Sequence, residues 1–288
     1  MPELPEVETI RIGLQRYLVG HTIQAITINL QKQISGDTQA IIGSKIIAVK
    51  RFGKGLVIEL NNGYSITAHV KMTGQLLYKA PHLSKQVIAG NAKVEIASLP
   101  DKYTHVIFHF DHDASLFYRD VRQFGWIKIV RSDLVASQPY FKKLGPEPLR
   151  DLTFKQFKNI LTKRKTPIKQ LIMDQSVIAG VGNIYANDAL FVSRIHPQRP
   201  ANSLLEEEQK GLFAAIEQVL KKGIEVGGAS EWSYVDALGK SGRYQEYFQV
   251  YRKQGQPCPR CGTKIEEIRL GGRGTFFCPH CQVRSERN

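Results

Sequence analysis

The first residues of the chain, Met1, Pro2 and Glu3, combine a nucleophile with a carboxyl group. Proline beside the initiator methionine is small enough for Met1 to be removed, and the residue then exposed is a secondary amine. Terminal α-amino groups have pKa values of about 7.7–8.0, against about 10.4 for lysine, so a useful fraction is uncharged and nucleophilic at cellular pH. Attack by such an amine on a sugar C1′ gives a permanently cationic iminium, which is the electron sink that a lyase needs.

The carboxyl group of Glu3 follows this nucleophile directly and can serve as general acid and base for opening a sugar ring. A structural alternative is that Glu3 and Glu6 complement the positive end of a helix dipole. Spacing alone is equally compatible with both interpretations.

Four cysteines near the end of the chain have the spacing of a metal site. They form the pairs Cys258-Pro-Arg-Cys261 and Cys278-Pro-His-Cys281, sixteen residues apart. Four thiolates in this arrangement indicate a closed, tetrahedral structural zinc site, and they leave no position open for catalysis. The alternatives are two disulfides or four unrelated thiols. His280 lies inside the second pair, but four sulfurs already complete the site.

A glycine-rich turn in Ile178–Tyr185 comes directly before a helical run, so free backbone N–H groups at the helix start can bind an anion. Asn183 can add a side-chain hydrogen bond. Most turns of this kind only cap a helix, but the basic run Lys163, Arg164 and Lys165 upstream favours a phosphate contact.

A second candidate phosphate contact is Arg273, which is flanked by glycines between the cysteine pairs, in Leu270–Phe277. This pattern is typical of a hairpin tip that points one guanidinium toward a phosphate. The simpler alternative is a solvated hairpin arginine.

Positive charge dominates the composition: 40 Lys and Arg against 26 Asp and Glu give a net charge of +14 and a pI near 9.6. Such a balance is expected of a protein that binds a polyanion, although a merely soluble basic protein has it too. We find no secretory signal, no transit peptide and no stretch long enough to span a bilayer, so we expect a cytoplasmic protein.

Two kinds of element must position these residues. Apolar residues recur at helical spacing directly after the amino terminus, which predicts a helix that ends before Gly20. From Thr22 to about Val130, short β-branched and aromatic runs with an Asn62-Gly63 hairpin signal predict a mainly antiparallel β-sandwich. Beyond residue 150 the period becomes helical.

Turn and cap signals set the boundaries of the second half. The stiff segment Leu144–Leu149 predicts a linker. Thr153 with Gln156 and Ser203 with Glu206 have capping-box spacing, and Gly223 closes an apolar run.

We therefore expect a catalytic β-sandwich domain at 1–130, a linker at 131–150, a helical DNA-binding domain at 151–235 and a zinc finger at 236–288.

Three motifs in the same order as in a known family closely resemble formamidopyrimidine-DNA glycosylase. They are Met1-Pro-Glu-Leu-Pro-Glu-Val-Glu-Thr9, Gly180-Val-Gly-Asn-Ile-Tyr-Ala186 and Gly272-Arg-Gly-Thr-Phe-Phe-Cys-Pro-His-Cys-Gln282. The resemblance runs from end to end. It implies an α+β fold: an N-terminal antiparallel β-sandwich with flanking helices, and a helix–two-turn–helix domain ending in a β-hairpin zinc finger with one structural Zn²⁺.

The resemblance also implies roles for the candidate catalytic residues. Pro2 is the Schiff-base nucleophile and Glu3 the proton donor in base removal. Lys54 and Arg273 match residues that take part in the elimination steps and bind phosphates.

Residues that the resemblance implies in DNA binding fall into two groups. Met72, Arg122 and Phe124 match the trio that fills the gap left by a flipped base, where an apolar wedge can unstack a step and an arginine can bond the orphaned cytosine. The other implied contacts are His69, Arg164, Asn183 and Tyr251.

Three positions depart from the family pattern: Gln123 replaces a second arginine, Tyr103 a histidine, and Gly55 an aromatic residue after Lys54. These departures fall on expected local DNA contacts and leave the nucleophile and the cysteines untouched.

The implied function is removal of oxidised purines, 8-oxoguanine or formamidopyrimidines, from double-stranded DNA, followed by β- and δ-elimination at the abasic site. We expect a monomer, with Val226–Tyr247 as a mobile lesion-capping loop. An endonuclease VIII-like enzyme for oxidised pyrimidines and a zinc-finger DNA-binding protein without catalysis remain alternatives. A basic RNA-binding protein is disfavoured because no RNA module is recognisable.

Overall fold

A computed structural model describes residues 1–83, 94–231 and 233–284. The described chain divides into two compact units: unit 1 comprises Met1–Lys142 and Gly223–Gln245, and unit 2 comprises Lys143–Lys222 and Glu246–Asn288. The predicted domain boundaries at 130, 150 and 235 stay predictions.

Unit 1 begins with helix α1 (Leu4–Leu18), whose predicted position is confirmed. Glu3 is its N-cap and forms a capping box with Glu6, and a proline stands in the first turn. One face of the helix is buried at Val7, Ile10, Leu14 and Leu18. The amino terminus is therefore attached to a helix that is anchored in the core.

Two sheets follow α1 in unit 1. The strands are β1 (Ile23–Ile28), β2 (Ile34–Ser35), β3 (Ile46–Phe52), β4 (Gly55–Leu60), β5 (Tyr64–His69), β6 (Gly74–Lys79), β7 (Thr104–Phe110), β8 (Ser115–Asp120) and β9 (Trp126–Arg131). One sheet has the order β1-β7-β8-β6 and the other β2-β9-β5-β4-β3. All pairs are antiparallel except the short β2–β9 pair.

Both sheets and α1 contribute to one buried apolar cluster, as expected of a sandwich. Leu76 and Phe108 come from the four-stranded sheet, Ile58 and Ile66 from the five-stranded sheet, and Leu14 from α1. The predicted β-sandwich is confirmed, including the hairpin between β4 and β5 at Asn62-Gly63.

The remaining helices are α2 (Pro139–Lys142), α3 (Phe154–Thr162), α4 (Ile168–Met173), α5 (Asn183–Val192) and α6 (Glu206–Glu225). The hairpin of β10 (Glu266–Leu270) and β11 (Arg273–Phe277) closes unit 2. None of the helices in the described ranges is long and apolar enough to cross a membrane.

Local cap signals in the second half were only partly correct. Thr153 and Gln156 form the predicted capping box of α3. The capping box predicted for Ser203 is wrong, because its hydroxyl donates to the Pro200 carbonyl and α6 begins at Glu206. Gly223 also does not end α6, which continues to Glu225.

Candidate active site and metal centre

Pro2 and Glu3 stand immediately before α1, and both are buried while Met1 is exposed. The Glu3 side chain accepts the N–H of Glu6, and the Glu3 N–H donates to Glu6 Oε2 at 2.7 Å. The other Glu6 oxygen accepts the N–H of Ala229 at 2.8 Å. Glu6 thus binds backbone N–H groups on two sides, whereas Glu3 caps α1 and directly follows Pro2 in the chain.

Lys54 lies in the tight turn between β3 and β4 and is buried. Its N–H donates to the Tyr140 hydroxyl at 2.9 Å. In the same turn the Gly53 carbonyl accepts from Arg51 Nη1 at 2.8 Å, and Arg51 Nε donates to Glu8 Oε2 at 2.8 Å. Because Glu8 belongs to α1, these bonds tie the turn of Lys54 to the helix that carries Pro2.

The departure at Gly55 has a packing reason. A Cβ atom at this position would lie 2.6 Å from Cε1 of Tyr140 and 3.1 Å from Cε1 of Phe141, both on α2. Aromatic rings from a distant part of the chain therefore already occupy the space beside Lys54, and only glycine fits there.

His69 at the end of β5 is buried between the rings of Tyr140 and Trp126, with centroid distances of 4.8 and 5.9 Å. Its Nδ1 accepts the Lys71 N–H at 2.9 Å, so the neutral ring carries its proton on Nε2. Burial, followed by the charges of Lys71 and Lys54, lowers the pKa of His69 from 6.5 to about 3. The ring is therefore neutral at physiological pH.

This lowered pKa predicts a specific acid sensitivity. Between pH 6.5 and about 3, His69 is protonated in the unfolded chain but not in the folded protein. The contribution of this group to stability is therefore fully present above pH 6.5 and is lost as the pH falls toward 3. We expect the free energy of unfolding to fall by up to about 1.4 kcal/mol per pH unit from this group. Urea unfolding at several pH values should show that the free energy of unfolding falls less steeply with decreasing pH in His69→Asn than in the wild type. An equally steep fall in both proteins would contradict the prediction.

The predicted trio is brought together at one edge of unit 1. Arg122 Nη1 lies 3.0 Å from Sδ of Met72, and its guanidinium lies 4.8 Å above the ring centroid of Phe124. Met72 is 40% exposed and Phe124 is 56% exposed. Such exposure argues against a core role for these residues. Two large, exposed apolar side chains around one cation instead suit a wedge that inserts between stacked bases.

The other two departures have identifiable contacts. Gln123 has a φ of 58° and its carbonyl accepts from the Gln33 side chain at 3.0 Å. The Tyr103 ring lies 4.9 Å from the Arg119 guanidinium, which in turn donates to Asp101 Oδ2 at 2.7 Å. Both residues stabilise the loops in which they stand.

In unit 2, the start of α5 is bonded to the finger hairpin. The side chain of Asn183 donates to the Gly274 carbonyl at 3.1 Å. Lys169, which is 1% exposed, donates to the same carbonyl at 2.9 Å and to the Thr275 hydroxyl at 2.7 Å. These bonds fix the backbone next to Arg273, whose side chain is exposed at the hairpin tip.

The last two predicted DNA contacts differ in exposure. Arg164 is exposed in the loop after α3. Tyr251 is half-buried, and its ring packs edge-on against Phe248 and Phe276 at 5.1 and 5.3 Å. Tyr251 therefore belongs to the apolar core of the finger.

The four cysteines form the predicted metal centre. Their Sγ atoms all lie within 4.8 Å of one another. The Cys258–Cys281 distance is 4.0 Å and the Cys261–Cys278 distance is 3.5 Å. Four soft sulfur donors at these separations fit one tetrahedral zinc ion with a Zn–S distance of about 2.3 Å. The disulfide alternative is not supported, because all four are free thiols.

Sequence reasoning missed the buried polar residues that hold these parts in place. Asp188 on α5 is fully buried, and its Oδ1 accepts the N–H groups of Gln249 and Val250, each at 3.1 Å. Asn187 accepts the Phe276 N–H at 2.8 Å. The sequence signal for them was two adjacent polar residues, Asn187 and Asp188, in the mainly apolar helix α5.

Three models of one glycosylase family match successive parts of the chain. Residues 1–127 match the formamidopyrimidine-DNA glycosylase N-terminal domain, 144–234 its H2TH domain, and 255–283 a zinc finger found in FPG and IleRS.

The formamidopyrimidine-DNA glycosylase of Pelotomaculum thermopropionicum is 41% identical, covering 98% of this chain and 99% of that protein. That of Streptococcus pneumoniae R6 is 39% identical, covering 99% and 100%.

Solved structures show the same agreement. The complex of a mutant Lactococcus lactis FPG with a Fapy-dG containing DNA matches with a TM-score of 0.86 at 34% identity, covering 98% of this chain and 100% of that one. The complex of Lactococcus lactis Fpg with an abasic site containing DNA matches with a TM-score of 0.85, at the same identity and coverage. The chain therefore belongs to the formamidopyrimidine-DNA glycosylase family, whose members are DNA glycosylases with abasic-site lyase activity.

Proposed function

We propose that this protein removes oxidised purines, 8-oxoguanine and formamidopyrimidines, from duplex DNA and then cleaves the abasic strand. The observation that carries the proposal is the position of Pro2 and Glu3 at the capped start of α1, in a chain similar to glycosylases of this family over its whole length. Removal of Met1 turns the buried Pro2 nitrogen into a terminal secondary amine.

The base is lost when the Pro2 nitrogen bonds to C1′ and the glycosidic bond breaks; the electron pair of that bond leaves on the base, which takes up the proton lost by the Pro2 nitrogen. The Glu3 carboxyl group protonates the ring oxygen O4′, the C1′–O4′ bond opens, and an iminium forms between Pro2 and C1′. Glu3 suits this task because it directly follows Pro2 and its carboxyl group is oriented at the start of α1 by accepting the Glu6 N–H.

Strand cleavage follows from the acidity that the iminium confers on the adjacent C–H. Loss of a C2′ proton expels the 3′-phosphate oxygen, and a second elimination expels the 5′-phosphate oxygen. Water then hydrolyses the remaining iminium and frees Pro2. We propose that Lys54 and Arg273 act in these steps by binding the departing phosphates, since both carry cations on short, well-held hairpins.

We further propose that Met72, Arg122 and Phe124 enter the space of the flipped base, and that Arg164, Asn183, Tyr251 and His69 support DNA binding. Zinc held by four thiolates has no open coordination position and serves to fold the finger. The Arg273 side chain is then presented by a hairpin bonded to Asn183 and Lys169. A cytoplasmic, nucleoid-associated monomer is the form we propose.

Borohydride reduction tests the nucleophile. The protein is incubated with a duplex containing 8-oxoguanine opposite cytosine, reduced, digested, and the cross-linked peptide is identified by mass spectrometry. We expect the cross-link on Pro2 with Met1 absent. Two matched variants carry the same non-cleavable tag, one at the amino terminus and one at the carboxyl terminus. Only the amino-terminal tag should abolish the cross-link, because it leaves Pro2 without a free amine. Tight DNA binding without any cross-link or cleavage would support a non-catalytic zinc-finger protein instead.

A further inference from the structure

One buried carboxylate contacts both segments that carry the exposed trio. Asp120 ends β8 and is fully buried. Its Oδ1 accepts the Thr73 hydroxyl and, at 3.2 Å, the Arg122 N–H, and its Oδ2 accepts the Gly125 N–H at 2.8 Å. Thr73 Oγ1 also accepts the Arg122 N–H at 2.9 Å.

These partners are the immediate neighbours of the trio. Thr73 follows Met72 and Gly125 follows Phe124, while the Arg122 N–H belongs to the trio itself. A buried carboxylate is costly unless its oxygens are satisfied, and here one hydroxyl and two backbone N–H groups from separate segments satisfy them. Asp120 therefore joins the turn after β5 to the turn before β9.

The second turn has little freedom to adopt another shape. A Cβ atom on Gly125 would lie 2.1 Å from the Tyr118 hydroxyl and 2.8 Å from the His69 carbonyl, so the backbone runs directly against β8 and β5. The Gln33 side chain holds another carbonyl of this turn, that of Gln123. The carboxylate thus lies at the centre of a closely packed turn.

We propose that Asp120 is a positioning residue that holds Met72, Arg122 and Phe124 in one preorganised wedge and thereby determines discrimination of the base opposite the lesion. The proposal rests on the proposed function. An arginine distinguishes bases only when its guanidinium is held in register with the base edge. Loss of the bond between the Arg122 N–H and Asp120 should therefore reduce selectivity for the opposite base even in a protein that still folds.

Single-turnover kinetics of Asp120→Asn test the proposal. The carboxamide turns an –NH₂ group toward N–H donors and so loosens the wedge. We expect removal of 8-oxoguanine opposite cytosine to slow by about tenfold or more, and the preference for cytosine over adenine to shrink by about tenfold. Cleavage of a preformed abasic site, which has no base to unstack, should change by less than about threefold.

The matched control is Asp113→Asn, an exposed aspartate with a φ of 53° in the turn between β7 and β8, a conformation that asparagine also adopts. It should behave as wild type. If Asp120→Asn does not fold, Thr73→Val and Thr73→Ser replace it: valine removes the hydroxyl that binds Asp120 and should lower the cytosine preference, and serine should restore it.

Equal losses of base removal and abasic-site cleavage at an unchanged cytosine preference would overturn the proposal and leave Asp120 a purely structural role. Unchanged kinetics in Asp120→Asn or in Thr73→Val would overturn it as well. Failure of the proposed function itself is recognised separately, because the wild-type protein would then give no borohydride cross-link.

Discussion

Glu3→Gln is expected to slow removal of 8-oxoguanine by about 10²–10⁴-fold, the usual contribution of a general acid–base group. The amide cannot deliver the proton that opening of the sugar ring requires. Its carbonyl oxygen still accepts the Glu6 N–H, so α1 remains capped and the folded structure is retained. Cleavage of a preformed abasic site should fall much less, because the sugar ring of the open-chain aldehyde present there is already open and needs no proton from Glu3.

Glu6→Gln is the informative comparison. Both oxygens of Glu6 accept backbone N–H groups, from Glu3 and Ala229. In glutamine an –NH₂ group replaces one of these oxygens, so that a donor would point at an N–H donor and the hydrogen bond would be lost. We expect Glu6→Gln to lower thermal stability and to reduce both reactions in parallel. Measured rates on the two substrates separate the cases: a parallel loss in Glu3→Gln as well would assign Glu3 to capping alone.

Local signals account for what could be predicted from the sequence. The capping box and apolar face of α1, the Asn62-Gly63 hairpin and the paired cysteines each depend on residues a few positions apart. Such signals fail where packing from elsewhere intervenes. Ser203 has capping-box spacing, yet its hydroxyl bonds the Pro200 carbonyl and the helix starts later.

Residues that act through distant backbone were not predictable by spacing. Lys169 donates to Gly274, 105 positions away, and the Thr73 hydroxyl reaches Asp120, 47 positions away. Their residue types carry no signal, because a lysine or an aspartate is ordinarily solvated. Met72 and Phe124 have the opposite problem: their types suggest a core, and only the family resemblance indicated the surface position that the structure shows.

The segment Val226–Tyr247, which was predicted as a lesion-capping loop, also makes contacts with distant parts of the chain that spacing does not reveal. Trp232 lies outside the described residues. On either side of it, the Ala229 N–H donates to Glu6 and the Ser233 hydroxyl donates to the Met72 carbonyl at 3.1 Å. The segment thus contacts both the helix that carries Pro2 and the trio, and its capping role stays a prediction.

Cys281→Ser is expected to release zinc and to weaken binding to lesion-containing duplex by at least about 10²-fold. Structural zinc contributes about 10–16 kcal/mol in finger peptides, far more than a two-stranded hairpin provides alone. Once β10 and β11 separate, the bonds from Lys169 and Asn183 to Gly274 are lost and Arg273 is no longer held. Unit 1 has its own core and should keep its strands.

His280→Ser is the matched control, because this exposed residue adjoins Cys281 but is not one of the four clustered ligands. It should retain one zinc per chain and wild-type DNA affinity. Metal analysis, fluorescence anisotropy and hydrogen exchange measure the three expected effects. Retention of zinc and affinity in Cys281→Ser, or equal zinc loss in His280→Ser, would contradict the four-cysteine site. Loss of protection throughout the β-sandwich would show instead that the finger stabilises the whole chain.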